Sequence, residues 1–584
     1  MQLNIADNFK IKINNNIKEI IYVDGNLQDN NSLKYLIEKD KKQIRSEISK
    51  IIKVRLSNKF KYFFRKNEDF LIWKMSSIFE INTLRTNSFY KLAQLICLKK
   101  IIKKKKIKII NYYGSDKNIL DFLLKAKVKL NYYNIKASKH KINRFHFLRG
   151  LAFFFKYILI NFFLILKNFQ VRKSKNNLIF LSYLVHLNNN KKKYFASNHW
   201  GDLPETVNET GNKIDWYYDY SPSHELNNFK RAKKFLNKYS SDPNYHYFLA
   251  EYLTISSCLK IFFKFIIVTI KFNFTNKKKK FEIPELFKLN LYNIFKNELQ
   301  ESFNGTLLIS NLFYIEIYRN FFREKKNIRS IFFLLENQPW EKAFLYFSNS
   351  QKKLKIYGCV NSTTIFWDMR YFHHNKYENF KMIDNILING ALAKNYLKSC
   401  VVTNKIKEVE AVRYKYLLNY KKTINKKNKK ILILGEQSIP TTLSCLHYLN
   451  SSKNDKNYKF DFKPHPTTAS KVLKLIEKNY PKINLLKSKS RDIYKHYKYT
   501  IVIGSTSAII EAIYFKTKIL IYDKIDNFFL CPLFNEKKAS VIDENKTISK
   551  NLENNLLKIR GDELSNVANI KYKNKNWSYF IRNL

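Results

Sequence analysis

Four short apolar runs in the last third of the sequence read ILIL (residues 431–434), KFDFK (459–463), TIVI (500–503) and KILIYD (518–523). Each run is rich in Ile, Leu or Phe and is separated from the next by a segment with helical character. Short apolar runs that alternate with helical segments are typical of a parallel β-sheet covered by helices. The end of the chain is therefore predicted to form a Rossmann-like α/β domain.

The same alternation is found earlier in the chain. Further strands are predicted at KEIIYVDG (residues 18–25), KLNYYNIK (129–136), NLIFLSY (177–183) and IFFLL (331–335), with helical segments between them. At 584 residues the chain is too long for one hydrophobic core. We therefore predict two α/β domains, residues 1–300 and 301–584. The run NKKKK, just before the predicted boundary, is expected to be a solvated linker.

The chain is strongly basic, with 107 Lys and Arg against 47 Asp and Glu, and a formal net charge of +60. Such an excess favours a polyanionic partner, either nucleic acid or an anionic membrane surface. It also fits the compositional drift of an AT-rich genome, since Lys is abundant while Gly (11) and Pro (10) are scarce. No RNA- or DNA-reading motif is present in the sequence. Nucleic acid is therefore not expected as a partner.

Two apolar stretches, residues 151–166 and 261–270, are shorter than the roughly 20 residues that a membrane span requires. Each has lysines that suit a helix lying in the headgroup plane, although a buried core helix or a true span would give the same pattern. The first residues lack the apolar core of a signal peptide. The six cysteines are scattered without metal-ligand spacing, so a reducing compartment and no zinc site are expected.

Glycines at the ends of two predicted strands mark a candidate ligand site. Gly435 follows ILIL and Gly504 follows TIVI, at the carboxyl edge where α/β proteins bind ligands. A helix is predicted at residues 508–515, and its first-turn amides with the preceding hydroxyls would bind a phosphate. Glu511 could reach sugar hydroxyls, or it could be a surface residue of an ordinary capped helix. The hydroxyl residues before this helix are Ser505, Thr506 and Ser507.

The segment KPHP (residues 463–466) ends another predicted strand. The two prolines around His465 stiffen the loop and aim the ring. An imidazole beside a phosphate can donate a hydrogen bond and stabilise a leaving nucleotide, and Lys463 would add positive charge. A single histidine is more often structural, but this one lies about 40 residues before Gly504, at the end of a neighbouring predicted strand.

The motifs KPHP and GSTSAIIEA resemble the donor site of GT-B glycosyltransferases that build bacterial capsule and lipopolysaccharide. Similar HP and Ser-rich motifs occur in bacterial sialyltransferases and polysialyltransferases and in CDP-glycerol glycerophosphotransferases. The segments FLSYLVH (180–186), HWGDLP (199–204) and ENQPWEKAF (336–344) resemble a surface carbohydrate biosynthesis family. The resemblance covers roughly residues 180–525.

This resemblance implies an α/β fold with two Rossmann-like domains that face each other across a cleft. The second domain would hold a nucleotide-sugar donor, with His465, Ser505 and Ser507 at the phosphate and Glu511 near the ribose or base. Such enzymes usually need no tightly bound metal. We therefore expect neither a metal nor a cofactor.

A transferase also needs a base that deprotonates the acceptor hydroxyl. Asp202 and Glu336 each follow a predicted strand and would face the cleft, and His199 is a third candidate. Asp202 could instead cap the following turn, and Glu336 could form a structural ion pair. The tryptophans that could stack on sugar rings, or simply fill the core, are Trp200, Trp340 and Trp367.

The leading hypothesis is a glycosyltransferase that moves a sugar from a nucleotide donor, for example a CMP-linked sugar, to a growing surface polysaccharide or lipid-linked glycan. It would act in the cytoplasm, bound peripherally to the anionic inner membrane of a bacterium. One alternative is a glycerophosphotransferase that uses a CDP-alcohol. The non-enzymatic alternatives are a basic RNA-binding protein and a catalytically inactive GT-B scaffold.

Overall fold

The structure of the chain is a computed structural model. It describes residues 2–8, 20–25, 27, 29–64, 67–134, 145–166, 176, 178–184, 187, 194–222, 226–239, 244–372, 383–400, 405–420, 429–451, 457–486, 492–524, 526–532, 541–554 and 567–584.

The strands of the described residues fall into three parallel sheets and one small antiparallel ribbon. In chain order they are β1 (Gln2–Asn8), β2 (Ile20–Asp24), β3 (Ile109–Gly114), β4 (Lys129–Asn134), β5 (Leu178–Tyr183), β6 (Ile214–Asp219), β7 (Tyr245–Phe248), β8 (Glu282–Ile283), β9 (Leu289–Asn290), β10 (Ser330–Leu334), β11 (Lys355–Val360), β12 (Asn385–Ile388), β13 (Ile406–Glu408), β14 (Lys430–Leu434), β15 (Lys459–Lys463), β16 (Ile483–Leu485), β17 (Tyr499–Ile503) and β18 (Lys518–Tyr522).

Helices cover the sheets and connect their strands. The α-helices are α1 (Leu33–Lys39), α2 (Lys41–Ser49), α3 (Ser57–Phe63), α4 (Asn67–Lys74), α5 (Ser77–Glu80), α6 (Ser88–Lys104), α7 (Lys117–Lys125), α8 (His146–Leu166), α9 (Leu203–Glu209), α10 (Phe229–Asn237), α11 (Ile255–Asn273), α12 (Lys277–Lys280), α13 (Lys296–Asn304), α14 (Thr306–Glu324), α15 (Pro339–Ser348), α16 (Ala391–Leu397), α17 (Ile439–Ser451), α18 (Ser470–Asn479), α19 (Ile509–Tyr514), α20 (Ile548–Asn554) and α21 (Lys575–Arg582). A π-helical segment, Lys50–Leu56, joins α2 to α3.

Two of the sheets have the strand order of a doubly wound Rossmann fold. The middle sheet runs β13-β12-β11-β10-β5-β6-β7, so the chain leaves β5 in one direction and returns to β10 on its other side. The third sheet runs β16-β15-β14-β17-β18 and reverses in the same way between β14 and β17. The predicted α/β class with two Rossmann-like units is confirmed. A four-stranded parallel sheet, β2-β1-β3-β4, precedes them.

The middle sheet continues across residue 300. Its central neighbours β10 and β5 pair with Ser330 opposite Leu178, so the predicted boundary falls inside one sheet. One continuous core extends from Leu3 in the first sheet to Val412 after the middle sheet, and it also includes residues that follow the third sheet, namely Phe528, Leu530, Trp577 and Ile581. The third sheet has a separate cluster of apolar side chains on each of its faces. Strand pairing within the middle sheet therefore joins residues on both sides of residue 300.

The carboxyl edges of the middle and third sheets meet. Trp367, which follows β11, stacks on Phe528, which follows β18, with ring centroids 4.1 Å apart. Lys34 of α1 forms a buried ion pair of 2.5 Å with Asp523, at the end of β18. The edge of the third sheet at which ligands are expected is thus turned toward the first two sheets.

The run NKKKK is not a solvated linker. Its last four residues form α12, and the ammonium of Lys280 lies 5.0 Å from the ring centroid of Phe63 and 5.5 Å from that of Phe60. Burial and the neighbouring cation Lys271 lower the pKa of Lys280 to about 8. The prediction was wrong because the aromatic side chains that receive this lysine lie more than 200 positions earlier in the chain.

Candidate functional site

The carboxyl edge of the third sheet gathers the predicted donor residues. β14 lies between β15 and β17, so the residues after these three strands become neighbours. The amide of Gly435 donates to the carbonyl of Lys463 at 2.9 Å. A Cβ added at Gly435 would lie 3.2 Å from the amide nitrogen of His465, so the KPHP loop packs closely over this glycine. Gly504 follows the other neighbour of β14.

His465 presents one nitrogen of its ring as a hydrogen-bond donor. Its Nδ1 lies 3.3 Å from the backbone N–H of Thr467 and 2.8 Å from the Thr467 hydroxyl. A backbone N–H can only donate, so Nδ1 accepts, and the neutral ring carries its proton on Nε2. The Nε2–H of His465 is therefore suited to donate to a phosphate oxygen.

Glu511 positions Lys463. The Lys463 ammonium lies 4.0 Å from a carboxylate oxygen of Glu511 and 4.9 Å from the ring centroid of Tyr494. The same carboxylate accepts hydrogen bonds from the hydroxyls of Tyr416 and Tyr494. Sugar hydroxyls would compete with these tyrosines for Glu511. The geometry therefore assigns Glu511 to holding Lys463 in place.

Glu436 is a residue of this edge that the sequence analysis missed. It is buried, and its carboxylate accepts hydrogen bonds from the amide of Ser505 at 2.9 Å and from the Ser505 hydroxyl at 3.0 Å. Burial raises the pKa of Glu436, and the bonds from Ser505 oppose that rise. The carboxylate thus takes the amide and hydroxyl that were predicted to bind a phosphate. An acid directly after a strand-ending glycine was the available signal.

Gly504 makes the close approach of Glu436 possible. Its φ is +51°, a left-handed conformation that favours glycine. A Cβ at this position would lie 2.3 Å from a carboxylate oxygen of Glu436. Any side chain here would displace the glutamate.

The predicted phosphate-binding helix is shorter than expected. α19 begins at Ile509, and its N-cap is Ala508, which makes no side-chain capping bond. Thr506 is buried, and its hydroxyl accepts from the Ala508 amide at 3.4 Å. Ser507 is half-buried immediately before the helix. The expected hydroxyl-capped anion site is thus corrected, because Ser505 is turned toward Glu436 and not toward the helix.

Asp202 lies at the carboxyl edge of the middle sheet, at the N-cap position of α9, without a side-chain capping bond. Its carboxylate forms an ion pair of 2.5 Å with Lys415 and accepts from the Asn574 side-chain amide at 3.1 Å. Asp202 therefore joins α9 to the segments that precede and follow the third sheet. This ion pair competes with the predicted role as a base.

Glu336 follows β10, at the switch point of the middle sheet. It is half-buried, and its carboxylate accepts from the side-chain amide of Gln338. The backbone of Glu336 donates to the buried Glu341 carboxylate at 3.0 Å, which fixes the turn into α15. The hydrogen bond from Gln338, which is a neutral side chain, orients the Glu336 carboxylate. Its chemistry is compatible with the predicted role as a base.

A small cavity lies between the ends of β5, β6 and β10. Its lining includes Tyr183, Asp219 and Trp340. Burial raises the pKa of Asp219, whose carboxylate accepts from the Tyr314 hydroxyl at 2.6 Å. Asp219 was not among the residues singled out from the sequence. The half-buried carboxyl of Asp219, at the end of β6, is a second acidic group on this edge.

All three candidate tryptophans are buried. Trp200 is fully buried and donates to the Ser182 hydroxyl at 2.9 Å, and Trp367 is fully buried against Phe528. These two belong to the core and are closed to a sugar ring. Trp340 lines the cavity and donates to the Tyr183 hydroxyl. His199 is buried, and its carbonyl accepts from the Asn361 side chain at 2.8 Å.

No protein-family model and no curated protein matches the sequence. Among solved structures, the UDP-GlcNAc 2-epimerase of Methanocaldococcus jannaschii in complex with UDP-GlcNAc and UDP is 13% identical, with a TM-score of 0.39, over 69% of this chain and 98% of that chain. The UDP-GlcNAc 2-epimerase of Neisseria meningitidis bound to UDP-GlcNAc is 11% identical, with a TM-score of 0.35, over 69% and 98%. A glycosyltransferase from Rickettsia africae is 12% identical, with a TM-score of 0.32, over 70% and 94%. At these values the similarity supports no statement about the activity or substrate of this chain.

Proposed function

We propose that this chain is a glycosyltransferase that takes a sugar from a nucleotide-activated donor, such as a CMP-linked sugar, bound at the carboxyl edge of the third sheet. The acceptor would be a growing surface polysaccharide or a lipid-linked glycan at the cytoplasmic face of a bacterial inner membrane. One observation carries the proposal. Three neighbouring strand ends bring Gly435, Lys463, His465 and Gly504 together at the switch point of a Rossmann-ordered sheet.

The charges of this edge suggest how the donor lies on it. The Nε2–H of His465 and the Lys463 ammonium are the hydrogen-bond donors on one side of this edge, and they suit the donor phosphate. Glu436, on the other side of Gly435, carries a carboxylate that would repel a phosphate and accept from hydroxyls. We therefore expect the ribose or sugar hydroxyls to lie toward Glu436 and the phosphate to lie toward the KPHP loop.

In the reaction, the bond between the anomeric carbon and the donor phosphate oxygen breaks, and the nucleotide leaves with the electron pair. His465 and Lys463 stabilise the charge that develops on the phosphate. The acceptor hydroxyl attacks the anomeric carbon and loses its proton to a carboxylate. Glu336 is assigned this last role, because it lies on the facing carboxyl edge and its side-chain partner is the neutral Gln338.

The experiment measures nucleotide release from CMP-, CDP-, UDP- and GDP-linked donors by the full chain. We expect one nucleotide class to be released, and His465→Ala to lower its release by about 100-fold or more. His447→Ala is the matched control, because His447 is an exposed histidine on α17, a helix that follows β14 of the same sheet. This substitution should leave nucleotide release unchanged.

Other outcomes would replace the proposal. Failure of every donor to be turned over or to raise the melting temperature would contradict a transferase. Transfer from a CDP-alcohol would identify the glycerophosphotransferase alternative. Salt-dependent RNA affinity that is unaffected by His465→Ala would favour an RNA-binding protein. Normal surface polysaccharide in cells carrying His465→Ala would favour an inactive scaffold.

A further inference from the structure

α8 is the one helix in the described part of the chain that is long and apolar enough to cross a membrane by length and composition. Only 28% of the most apolar 18-residue stretch of this helix is buried inside the protein. Leu148, Phe155, Leu159 and Phe163 recur at helical spacing and point away from the protein, with Leu159 72% exposed and Phe163 68% exposed. The helix thus has an apolar face that no described residue covers.

α11 lies beside α8 and continues this apolar surface. Phe147 stacks on Phe265 at 5.3 Å, and Phe154 contacts Phe262 at 5.7 Å, so the two helices run antiparallel. On the outer side of α11, Leu259, Phe263 and Ile267 are exposed at successive turns. We call the outer faces of these two helices the α8–α11 face. Most of the exposed large apolar side chains in the described residues lie on these two helices or next to their ends.

The charge of the α8–α11 face is of one sign. Neither helix contains Asp or Glu, whereas α8 carries Arg149 and Lys156 and α11 carries Lys260, Lys264 and Lys271. Arg149 and Lys264 are ion-paired with carboxylates of other helices, Glu301 of α13 and Asp69 of α4. The side chains of Lys156 and Lys260 are exposed among the apolar residues. Apolar side chains mixed with lysines fit the boundary between the acyl chains and the anionic headgroups of a bilayer.

The opposite side of α8 is packed too closely for the helix to leave the protein. A Cβ added at Gly150 would lie 2.9 Å from the Phe265 ring and 3.3 Å from the backbone of Gly305. The ring of His146 lies 2.9 Å from the Glu301 carboxylate. A membrane-spanning position would break these contacts, whereas a helix lying in the membrane plane keeps them and buries only its outer face.

We propose that the α8–α11 face lies in the interface of an anionic lipid bilayer, with both helices parallel to the membrane plane. The net charge of +60 favours this partner over a second copy of the chain, because two such copies repel each other. This inference is independent of the proposed donor site and would hold for a chain with any activity at that site.

Co-sedimentation of the full chain with vesicles tests this inference. Vesicles that contain phosphatidylglycerol should bind the chain, and pure phosphatidylcholine vesicles should bind it at least about tenfold less tightly at low salt. Leu159→Glu with Phe263→Glu should lower binding to the anionic vesicles by about tenfold or more. Leu475→Glu is the matched control, since Leu475 is an exposed leucine on α18, and it should bind like the unchanged chain.

Three further outcomes overturn the proposal. Equal binding by the unchanged chain and the doubly substituted chain would exclude the α8–α11 face. A dimer in sedimentation velocity that the double substitution dissociates would identify a second copy as the partner. Resistance of bound chain to extraction at alkaline pH would show a helix that spans the bilayer. Circular dichroism and thermal unfolding establish that the substituted chain is folded before its binding is compared.

Discussion

The carboxylate of Glu436 accepts hydrogen bonds from both the backbone amide and the hydroxyl of Ser505, at 2.9 and 3.0 Å. The two residues follow adjacent strands, β14 and β17, and close the switch point of the third sheet from both sides. The Ser505 amide of the Gly-Ser-Thr-Ser loop is therefore occupied by a protein carboxylate. The proposed function therefore assigns the donor phosphate to the neighbouring KPHP loop.

Glu436→Gln is expected to raise stability and to lower activity. Burial places the pKa of Glu436 in the folded chain above its ordinary value of 4.5, so the folded state holds the proton more tightly than the unfolded state. Stability contributed by this group is present below that ordinary value and falls as the pH rises toward the folded pKa. The neutral glutamine avoids this loss and can still accept from Ser505.

The measurement is thermal unfolding of both chains across pH. We expect Glu436→Gln to melt at a higher temperature than the unchanged chain at pH 8, with the difference disappearing near pH 4. Nucleotide release should fall, because the hydroxyls of the donor lose a charged acceptor. A melting temperature lowered at pH 8 would contradict the raised pKa.

Gly504→Ala should destabilise the chain more than a glycine substitution without a close neighbour. Both Gly504 and Gly211 have positive φ, at +51° and +80°, so an alanine at either costs about 1 kcal/mol of backbone strain. Only at Gly504 does the new Cβ meet an atom, a Glu436 oxygen at 2.3 Å, while at Gly211 nothing lies within 4 Å. Urea unfolding should show a loss for Gly504→Ala that is larger by about 1 kcal/mol or more. Equal losses would mean that Glu436 moves away freely.

Asp202 and Glu336 should behave differently when their charges are removed. Asp202→Asn is expected to lower the melting temperature, because Lys415 loses its partner, and to leave turnover nearly unchanged. Glu336→Gln should lower turnover by about 100-fold, with little change in the donor concentration at half-saturation. Steady-state kinetics with a saturating acceptor distinguish these effects. A larger loss of turnover for Asp202→Asn than for Glu336→Gln would indicate that Asp202 is the base and that Glu336 has the structural role.

The ion pair of Lys34 with Asp523 joins the first sheet's helix α1 to the end of the third sheet. Lys34→Met leaves a buried carboxylate without its cation, and we expect it to lower the free energy of unfolding by about 3–5 kcal/mol. The double substitution Lys34→Met with Asp523→Leu removes both charges and should recover most of this loss. Equilibrium unfolding of the three chains checks this. A double variant as unstable as the single one would show that the contact depends on more than this pair.

The third sheet could be predicted well because its strands are buried on both faces. In ILIL, Leu432 and Leu434 belong to the apolar cluster on one face of the sheet. Ile431 and Ile433 belong to the cluster on the other face. Strands at the sheet margins were missed, since β13 and β16 are only three residues long. β1 was also missed, because its sequence QLNIADN is mostly polar. Short and polar segments carry little periodicity, and their pairing is decided by their neighbours.

The positions of the site residues could be predicted further than their contacts. The strand ends placed Gly435, Lys463, His465 and Gly504 at one edge, because parallel strands share their carboxyl ends. The contact of Glu436 with Ser505 joins residues 69 positions apart, and nothing local in either segment indicates it. The ion pair that engages Asp202 likewise comes from Lys415, on a distant segment. Contacts of this kind depend on tertiary packing.

The most direct test of the donor site is a crystal structure of the chain with CMP. The proposed function predicts the phosphate within hydrogen-bond distance of His465 Nε2 and Lys463 Nζ, with the ribose toward Glu436. A nucleotide bound instead beside Trp340 at the middle sheet, or with its phosphate at the Ser505 amide in place of Glu436, would contradict it.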